Sequence, residues 1–181
     1  MAVLVVTGPS GVGKGTLIRE LLARRDDYEL SVSATTRPPR AGEVDGRDYH
    51  FLTPEEFEHR LARGEFLEHA VYAGHLYGTP RSEVERARKH LVLEIEVQGA
   101  RQVREALPEA TQVFIAPPSE EGLRDRLVGR RTDRPEEIER RLARAKEELA
   151  AREEFSRVIV NDDLDRAVDE LVKLAATIGD R

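Results

Sequence analysis

Residues 3–22 have the sequence VLVVTGPSGVGKGTLIRELL, and this segment sets the architecture expected for the rest of the chain. The four apolar residues at its start predict a buried parallel strand, and the apolar positions of residues 16–22 fall on one face of a helix. The glycine-rich turn between them has the spacing G-x-x-x-x-G-K, from Gly8 to Lys14. Between a strand and a helix, this spacing is typical of a loop whose backbone N–H groups and lysine hold phosphates.

The residue after Lys14 is Gly15, where many such loops carry Ser or Thr as a ligand for Mg²⁺. Two arrangements remain open: the hydroxyl of Thr16 serves the metal instead, or phosphates and water hold it. Mg²⁺ is the expected cofactor in both. The candidate phosphate-binding residues form one continuous run: Gly8, Pro9, Ser10, Gly11, Val12, Gly13, Lys14, Gly15 and Thr16.

Composition excludes several classes of protein. A chain of 181 residues is expected to form one domain, or one core with small inserted subdomains. A net charge of −6 argues against general nucleic-acid binding, and the absence of cysteine excludes disulfides and favours a reducing compartment. No segment approaches the roughly 18 apolar residues that cross a membrane, and the first residues lack the charged region of a signal peptide. We therefore expect a cytoplasmic protein with no membrane or nucleic-acid partner.

Strands alternate with helices along most of the chain. After the first helix we predict a strand at residues 28–33, but residues 33–79 then combine a loop rich in proline and glycine, a short strand, one capped helix and a hairpin. The alternation resumes at a strand at 91–96, includes a long charged helix at 135–152, and ends with a helix at 164–178. This pattern predicts a parallel sheet covered by helices on both faces, with ligands at the carboxyl ends of its strands.

Several segments, taken together, resemble those of guanylate kinases, a family of P-loop nucleoside-monophosphate kinases. The segments that carry the resemblance are GPSGVGKGT (8–16), SVSATTRPPRAGEVDGRDYHF (31–51), EFLEHAVYAGHLYGTP (65–80), LVLEIEVQGA (91–100) and VIVNDDLD (158–165). The resemblance covers nearly the whole chain. It implies transfer of the γ-phosphoryl group of ATP to GMP with Mg²⁺, which gives ADP and GDP in purine nucleotide metabolism.

The resemblance also implies an α/β fold with three parts. These are a P-loop NTPase core (residues 1–32, 80–118 and 145–181), a small mixed GMP-binding insertion (33–79) and a helical lid (119–144).

Residues of the insertion acquire roles from the resemblance. The guanidinium groups of Arg37 and Arg40 suit the dianionic phosphate of GMP, because each offers a rigid fork of donors. A carboxylate at Glu68 would accept hydrogen bonds from both N–H donors on the Watson–Crick edge of guanine. The other GMP-binding residues that the family implies are Tyr49 and Tyr77 for the phosphate, Ser33 and Thr79 for the guanine carbonyl, Glu43 for the order of the loop, and Glu96.

Two acids lie at the end of the predicted strand 91–96, beside the phosphate loop. Glu94 and Glu96 are two residues apart, so on a strand both point to the same face. They suit the water shell of Mg²⁺ or the acceptor nucleotide, and the alternative is that they pair with nearby arginines. We take Glu94, together with Thr16, as a metal candidate acting through water.

The predicted lid is rich in arginine. The family usually has G-R-G-T-E in this loop, whereas this chain has Arg131 in place of the second glycine. Because phosphoryl transfer spreads negative charge over the γ-phosphate oxygens, cations at this place stabilise the transition state. By position, the resemblance implies that Arg130 and Arg141 are catalytic with Lys14. Asn161 matches an ATP-binding segment, although a turn residue at a strand end is the alternative.

Two other classes of protein stay open on the sequence. One is a P-loop kinase with a different small acceptor, such as an adenylate kinase or a ribose-phosphate kinase. The other is a guanylate-kinase-like module that binds phosphopeptides with a degraded phosphate loop. The residues of the insertion favour GMP, and the intact Gly8, Gly13 and Lys14 favour a free-standing enzyme. ATP and GMP are then its expected partners, and both a monomer and a homodimer are possible.

Overall fold

The computed structural model describes residues 1–128 and 135–179 of the chain. Within these residues, the central sheet is parallel and has the order β2 (Tyr28–Leu30), β7 (His90–Glu94), β1 (Val3–Thr7), β8 (Thr111–Ala116) and β9 (Val158–Val160). All residues of β1 are buried. A central parallel strand is covered on both faces, so it needs the continuous apolar run that the sequence shows there.

Helices cover both faces of this sheet. Alternate residues of β1 point to opposite faces, so Leu4 and Val6 pack in one core cluster while Val3 and Val5 pack in another. The first cluster contains residues of α1 (Lys14–Arg24) and α7 (Leu164–Gly179), and the second contains residues of α4 (Val97–Ala106) and of a 3₁₀ helix (Ala151–Glu154). The predicted fold class is confirmed.

The segment predicted as an insertion forms a second sheet. Its order is β4 (His50–Phe51), β3 (Ala34–Thr35), β6 (His75–Pro80) and β5 (Phe66–Tyr72). β3 is parallel to β4 and antiparallel to β6, so the sheet is mixed, as the sequence predicts. Helix α2 (Pro54–Ala62) begins with the capping box that Thr53 and Glu56 form, and its Phe57 stacks on Phe66 with the ring centroids 4.3 Å apart.

Several elements differ from the sequence-based expectation, and one of them is β3, a strand in a segment that was predicted as a loop. Helix α3 (Arg81–Arg86) was not predicted, because it is short, has no buried residue and therefore lacks an apolar period. Strand β2 ends at Leu30 rather than at residue 33, where the chain leaves the core sheet for the insertion. Strand β7 ends at Glu94, because Glu96 already serves as the N-cap of α4.

The two described helices of the predicted lid are α5 (Glu120–Val128) and α6 (Pro135–Ala150), which pack through Leu123 and Ala145. Residues 129–134 lie outside the described part of the chain. No helix in the described ranges has the length and the apolar character needed to cross a membrane.

Candidate active site

The phosphate loop leaves the sheet at the carboxyl end of β1. A Cβ atom on Gly8 would lie 2.2 Å from the carbonyl oxygen of Ile115 on the neighbouring strand, and φ of Gly8 is 141°, so the position requires glycine. Lys14 begins α1, and its side chain is buried, with 8% of the residue exposed. Its Nζ donates to the carbonyl oxygens of Gly8 (2.6 Å) and Pro9 (3.3 Å). The positive charge of the lysine is therefore held inside the loop.

Asn161 holds the other side of this loop. It follows β9, it is buried, and its Nδ2 donates to the carbonyl oxygen of Val12 at 2.8 Å. The same nitrogen would lie 2.7 Å from a Cβ atom on Gly13. The structure thus brings the predicted Asn161 to the phosphate loop, where it contacts the loop backbone.

Glu94 lies beside the loop, as the sequence predicts, but Glu96 follows the end of β7 as the N-cap of α4, so the two acids do not share one face of a strand. Both carboxylate oxygens of Glu94 are 3.7 Å from the place that a Cβ atom on Gly15 would take. Burial raises the pKa of Glu94, the positive charge of Lys14 lowers it, and the charge of Glu96 raises it again. In the described part of the chain, Oε2 of Glu96 is buried and has no hydrogen-bond partner. Two acidic groups and one lysine therefore share the carboxyl edge of the sheet.

The residues around the loop fit a magnesium ion that is shared with phosphates. Thr16 and Glu94 offer oxygen ligands, which Mg²⁺ prefers. The described residues contain no group of three or more acidic, histidine or cysteine side chains able to hold an ion unaided. Protein Mg²⁺ sites in kinases usually have one or two carboxylates and complete the shell with phosphate oxygens and water.

The loop between β3 and β4 is organised by one carboxylate. The guanidinium group of Arg37 donates to both oxygens of Glu43 (3.0 and 2.8 Å), and the backbone N–H of Arg40 donates to Oε2 at 2.6 Å. The hydrogen bond from Arg37 lowers the pKa of Glu43 and raises that of Arg37, so both remain charged. The structure thus places Glu43 between the two arginines that the sequence assigns to the GMP phosphate.

Two tyrosines border Arg37. The guanidinium carbon lies 5.3 Å from the ring centroid of Tyr49, and the rings of Tyr49 and Tyr77 meet edge to face with the centroids 6.0 Å apart. Burial raises the pKa of Tyr49, and the charge of Glu94 adds to this effect. Arg37, Tyr49 and Tyr77 therefore form one group, and Tyr49 lies within electrostatic range of the core acid Glu94.

Glu68 is the buried carboxylate of the insertion, with 4% of the residue exposed. Burial raises its pKa to about 7, against the effect of hydrogen bonds from Thr79. The hydroxyl of Thr79 donates to Oε1 of Glu68 at 2.7 Å, so in the structure it orients the carboxylate rather than facing the predicted guanine carbonyl. Ser33, the other predicted partner of that carbonyl, is partly buried at the start of the insertion.

Sequence reasoning missed two residues of α6 that reach the site. Glu148 has 7% of its surface exposed, and its Oε2 accepts a hydrogen bond from the backbone N–H of Ser10 in the phosphate loop at 3.3 Å. Burial, together with the neighbouring Glu96 carboxylate, raises the pKa of Glu148 to about 7. Arg144 lies one turn earlier, with its Nε 3.4 Å from Oε1 of Glu148.

The sequence signal that could have identified Glu148 as a buried residue is its position on α6. It is three residues after Ala145 and next to Leu149, two residues of the small apolar cluster of the lid, so it lies on the apolar side of α6. Charged residues are so frequent in this helix that the pattern did not single out this one.

The predicted catalytic arginines cannot be placed beside these groups. Arg130 and its neighbour Arg131 lie outside the described residues. Arg141 is part of helix α6, and its side chain lies outside the described part of the structure.

Comparison with known proteins identifies the family of the chain. The family model described as guanylate kinase matches residues 1–177 of the chain. The chain belongs to the guanylate kinase family. The guanylate kinase of Synechocystis sp. is 55% identical, over 94% of this chain and 91% of that protein. The guanylate kinase of Frankia casuarinae is 54% identical over 96% of each.

A solved guanylate kinase has the same fold. The crystal structure of guanylate kinase from Anaplasma phagocytophilum aligns with a TM-score of 0.81 and 33% identity, and the alignment covers 99% of this chain and 87% of that one. The resemblance inferred from the sequence motifs is thereby confirmed.

Proposed function

We propose that the protein is an ATP:GMP phosphotransferase that moves the γ-phosphoryl group of ATP to GMP and releases ADP and GDP. Membership of the guanylate kinase family supports this reaction. The observation that carries the choice of acceptor is Glu68, a buried carboxylate in an insertion whose neighbouring loop holds Arg37 and Arg40.

On the donor side, the phosphate loop binds ATP. The backbone N–H groups of the loop and the N-terminus of α1 attract the phosphates, and Nζ of Lys14 exchanges its carbonyl partners for phosphate oxygens. Asn161 keeps the loop in shape through Val12. Little covalent chemistry falls to the protein in phosphoryl transfer, so positioning and charge stabilisation account for catalysis.

On the acceptor side, charge and hydrogen bonding select GMP. Arg37, Arg40, Tyr49 and Tyr77 bind its phosphate, with Arg37 held ready by Glu43. Ionised Glu68 accepts hydrogen bonds from N1–H and from the 2-amino group of guanine. Adenine presents an acceptor at N1 and no 2-amino group, so it leaves the buried carboxylate without hydrogen bonds from the base, which costs about 1–3 kcal/mol or more.

We include Mg²⁺ in the proposal because the oxygen donors beside the loop suit it. Thr16 and Glu94 would hold the ion, Glu94 through water, and the bound ion would neutralise charge on the transferring phosphate. Arg130 and Arg141 remain our candidates for further charge stabilisation, on the grounds of their position in the sequence. We also propose a cytoplasmic location, which cell fractionation tests. The protein is a monomer or a homodimer in this proposal, and sedimentation distinguishes the two.

The test measures ADP release from ATP with GMP, AMP, UMP and CMP in turn. We expect turnover with GMP to exceed that with each of the other acceptors by roughly 10⁴-fold in kcat/KM. Preference for another monophosphate would contradict the proposal. Calorimetric titration without detectable ATP binding, together with no turnover on any acceptor, would favour the phosphopeptide-binding module instead.

The control variant is Glu68→Gln, which keeps the shape of the side chain and replaces one acceptor by a donor able to meet N1 of adenine. We expect it to lose most activity with GMP. The GMP/AMP ratio of kcat/KM should fall at least tenfold, about 1.4 kcal/mol. A variant that keeps the wild-type ratio would remove Glu68 from guanine recognition.

A further inference from the structure

Glu68 belongs to the insertion, but its carboxylate rests on a helix of the core. A Cβ atom on Gly99, in the first turn of α4, would lie 2.2 Å from Oε2 of Glu68 and 2.9 Å from its Cδ. Real Cβ contacts are essentially never shorter than 3.0 Å. The backbone of Gly99 has no left-handed φ, so an alanine would suit the helix itself. The requirement for glycine comes from the neighbouring carboxylate.

The next turn of α4 holds the backbone beside Glu68. The side-chain amide of Gln102 accepts a hydrogen bond from the N–H of His69 at 3.0 Å and donates one to the carbonyl oxygen of His69 at 2.6 Å. Because both polar groups of one amide pair with both backbone groups of one residue, strand β5 is held in a single position against α4.

The spacing of these residues along α4 explains how one helix both makes room for the carboxylate of Glu68 and holds the backbone of His69. Glu96, Gly99 and Gln102 are three residues apart in turn, so they lie along one side of the helix. This side carries the predicted acceptor-binding acid Glu96, the space for the carboxylate of Glu68, and the amide that holds His69.

We propose that Gly99 and Gln102 are positioning residues for guanine specificity: through them, α4 fixes the carboxylate of Glu68 relative to the core and the phosphate loop. The inference rests on the proposed role of Glu68 in binding guanine. Neither residue touches the nucleotide in this proposal; each acts through the position of Glu68.

The first test is Gly99→Ala. The carboxylate must move by roughly 1 Å to restore ordinary van der Waals contact, and its hydrogen bond with Thr79 then breaks. A misplacement of about 1 Å in a site can cost about 10²-fold. We expect KM for GMP to rise 10- to 100-fold and the GMP/AMP ratio of kcat/KM to fall at least tenfold, with KM for ATP within twofold of wild type.

A matched glycine serves as the control. Gly179 ends α7, where a Cβ atom would meet the side chain of His90 at 3.3 Å. His90 is the first residue of β7 and Glu94 is the last, so this contact lies at the amino end of the strand, away from the site at its carboxyl end. Gly179→Ala should leave KM for GMP unchanged.

The second test removes the contact at His69. Gln102→Leu loses both hydrogen bonds, whereas Gln102→Glu keeps an acceptor for the N–H of His69 and loses the donor. KM for GMP should rise most in Gln102→Leu and less in Gln102→Glu. This series keeps the proposal testable if Gly99→Ala does not fold.

A double-mutant cycle separates positioning from a general structural effect. In Glu68→Asp the shorter side chain withdraws the carboxylate from Gly99, so adding Gly99→Ala should raise KM for GMP by less than threefold further. If the increase of KM for GMP in the double variant equals the product of the increases in the two single variants, the proposal is overturned.

A measurement independent of activity follows the carboxyl group directly. In ¹³C NMR titrations, the pKa of Glu68, which burial raises to about 7, should rise further in Gly99→Ala, because the displaced carboxylate loses the hydrogen bond from Thr79 that lowers its pKa. An unchanged titration would contradict displacement.

The two proposals fail in different ways. If Glu68→Gln keeps the wild-type preference for GMP, the guanine-binding role of Glu68 fails, and the positioning role fails with it. If Glu68→Gln abolishes that preference while Gly99→Ala and Gln102→Leu retain it, the positioning role alone is wrong.

Discussion

In the described part of the chain, the buried charged side chains are Lys14, Glu68 and Glu148, and all three border the candidate active site. A buried charge costs free energy unless it is paired or hydrogen-bonded. Three such groups around one site therefore indicate that the site binds charged ligands, because stability alone would favour apolar residues there.

At the scale of single residues, Lys14→Ala should remove most of the activity. The variant loses the cation that meets the transferring phosphate, so we expect kcat to fall about a thousandfold. The fold should survive, because the lysine contacts two loop carbonyls rather than the apolar core. Turnover at saturating ATP and GMP measures the effect, and Lys173→Ala, at an exposed position of α7, is the control. Near-normal turnover of pure Lys14→Ala would rule out the phosphate-loop assignment.

Glu68 should make GMP binding depend on pH. Its pKa is about 7, so the carboxyl is protonated below that pH and can no longer accept two hydrogen bonds from guanine. We expect KM for GMP to rise as pH falls from 8 to 6, approaching tenfold per pH unit below 7.

The variant Glu68→Gln supplies the control, since it cannot ionise at this position. The phosphate of GMP itself titrates near pH 6, but that effect is common to both proteins. The same pH dependence of KM in wild type and in Glu68→Gln would contradict the assignment.

At the scale of elements, α6 connects the two halves of the site. Arg144 donates to the carbonyl oxygen of Val71 at 3.0 Å and lies 4.4 Å from the ring centroid of Tyr72, while Glu148 contacts Ser10 of the phosphate loop. The helix thus touches the hairpin of the insertion and the donor loop at once.

Arg144→Ala should loosen the hairpin. The lost hydrogen bond and cation–π contact together stabilise it by about 1 kcal/mol, given partial exposure. We expect amide hydrogen exchange at residues 71–76 to become about fivefold faster, with exchange in α1 unchanged. In Arg144→Lys, which keeps the charge without the planar guanidinium, the exchange rate at the hairpin should lie between those of wild type and Arg144→Ala. Unaltered exchange at the hairpin would show that α6 does not hold it.

At the scale of the whole molecule, the insertion and the lid should close over the two nucleotides. Closure excludes water that would otherwise hydrolyse ATP. A bisubstrate analogue that joins adenosine to guanosine through phosphates should lower the radius of gyration in small-angle scattering. The analogue with two adenosines lacks the base that Glu68 binds and should compact the protein less. An unchanged radius at saturation with the guanosine compound would argue against closure.

The sequence by itself determined the features whose residues are neighbours along the chain. The strand–loop–helix around Lys14, the apolar run of β1, the capping box of Thr53 and the mixed character of the insertion all follow from local spacing, because backbone conformation and period act over a few residues. The family motifs added candidate residues, and those at the described site include Arg37, Glu43, Tyr49, Glu68, Tyr77, Thr79, Glu94 and Asn161.

Only the tertiary structure decided which distant residues meet. The order of the strands brings β5 against α4, so Glu68 rests on Gly99, and the packing of α6 brings Glu148 to Ser10, 138 residues away in the chain. Periodicity says which face of an element is buried but not which element covers it. For that reason the carboxylate expected from a motif could be named from the sequence, while the glycine that gives it room could be assigned only from the fold.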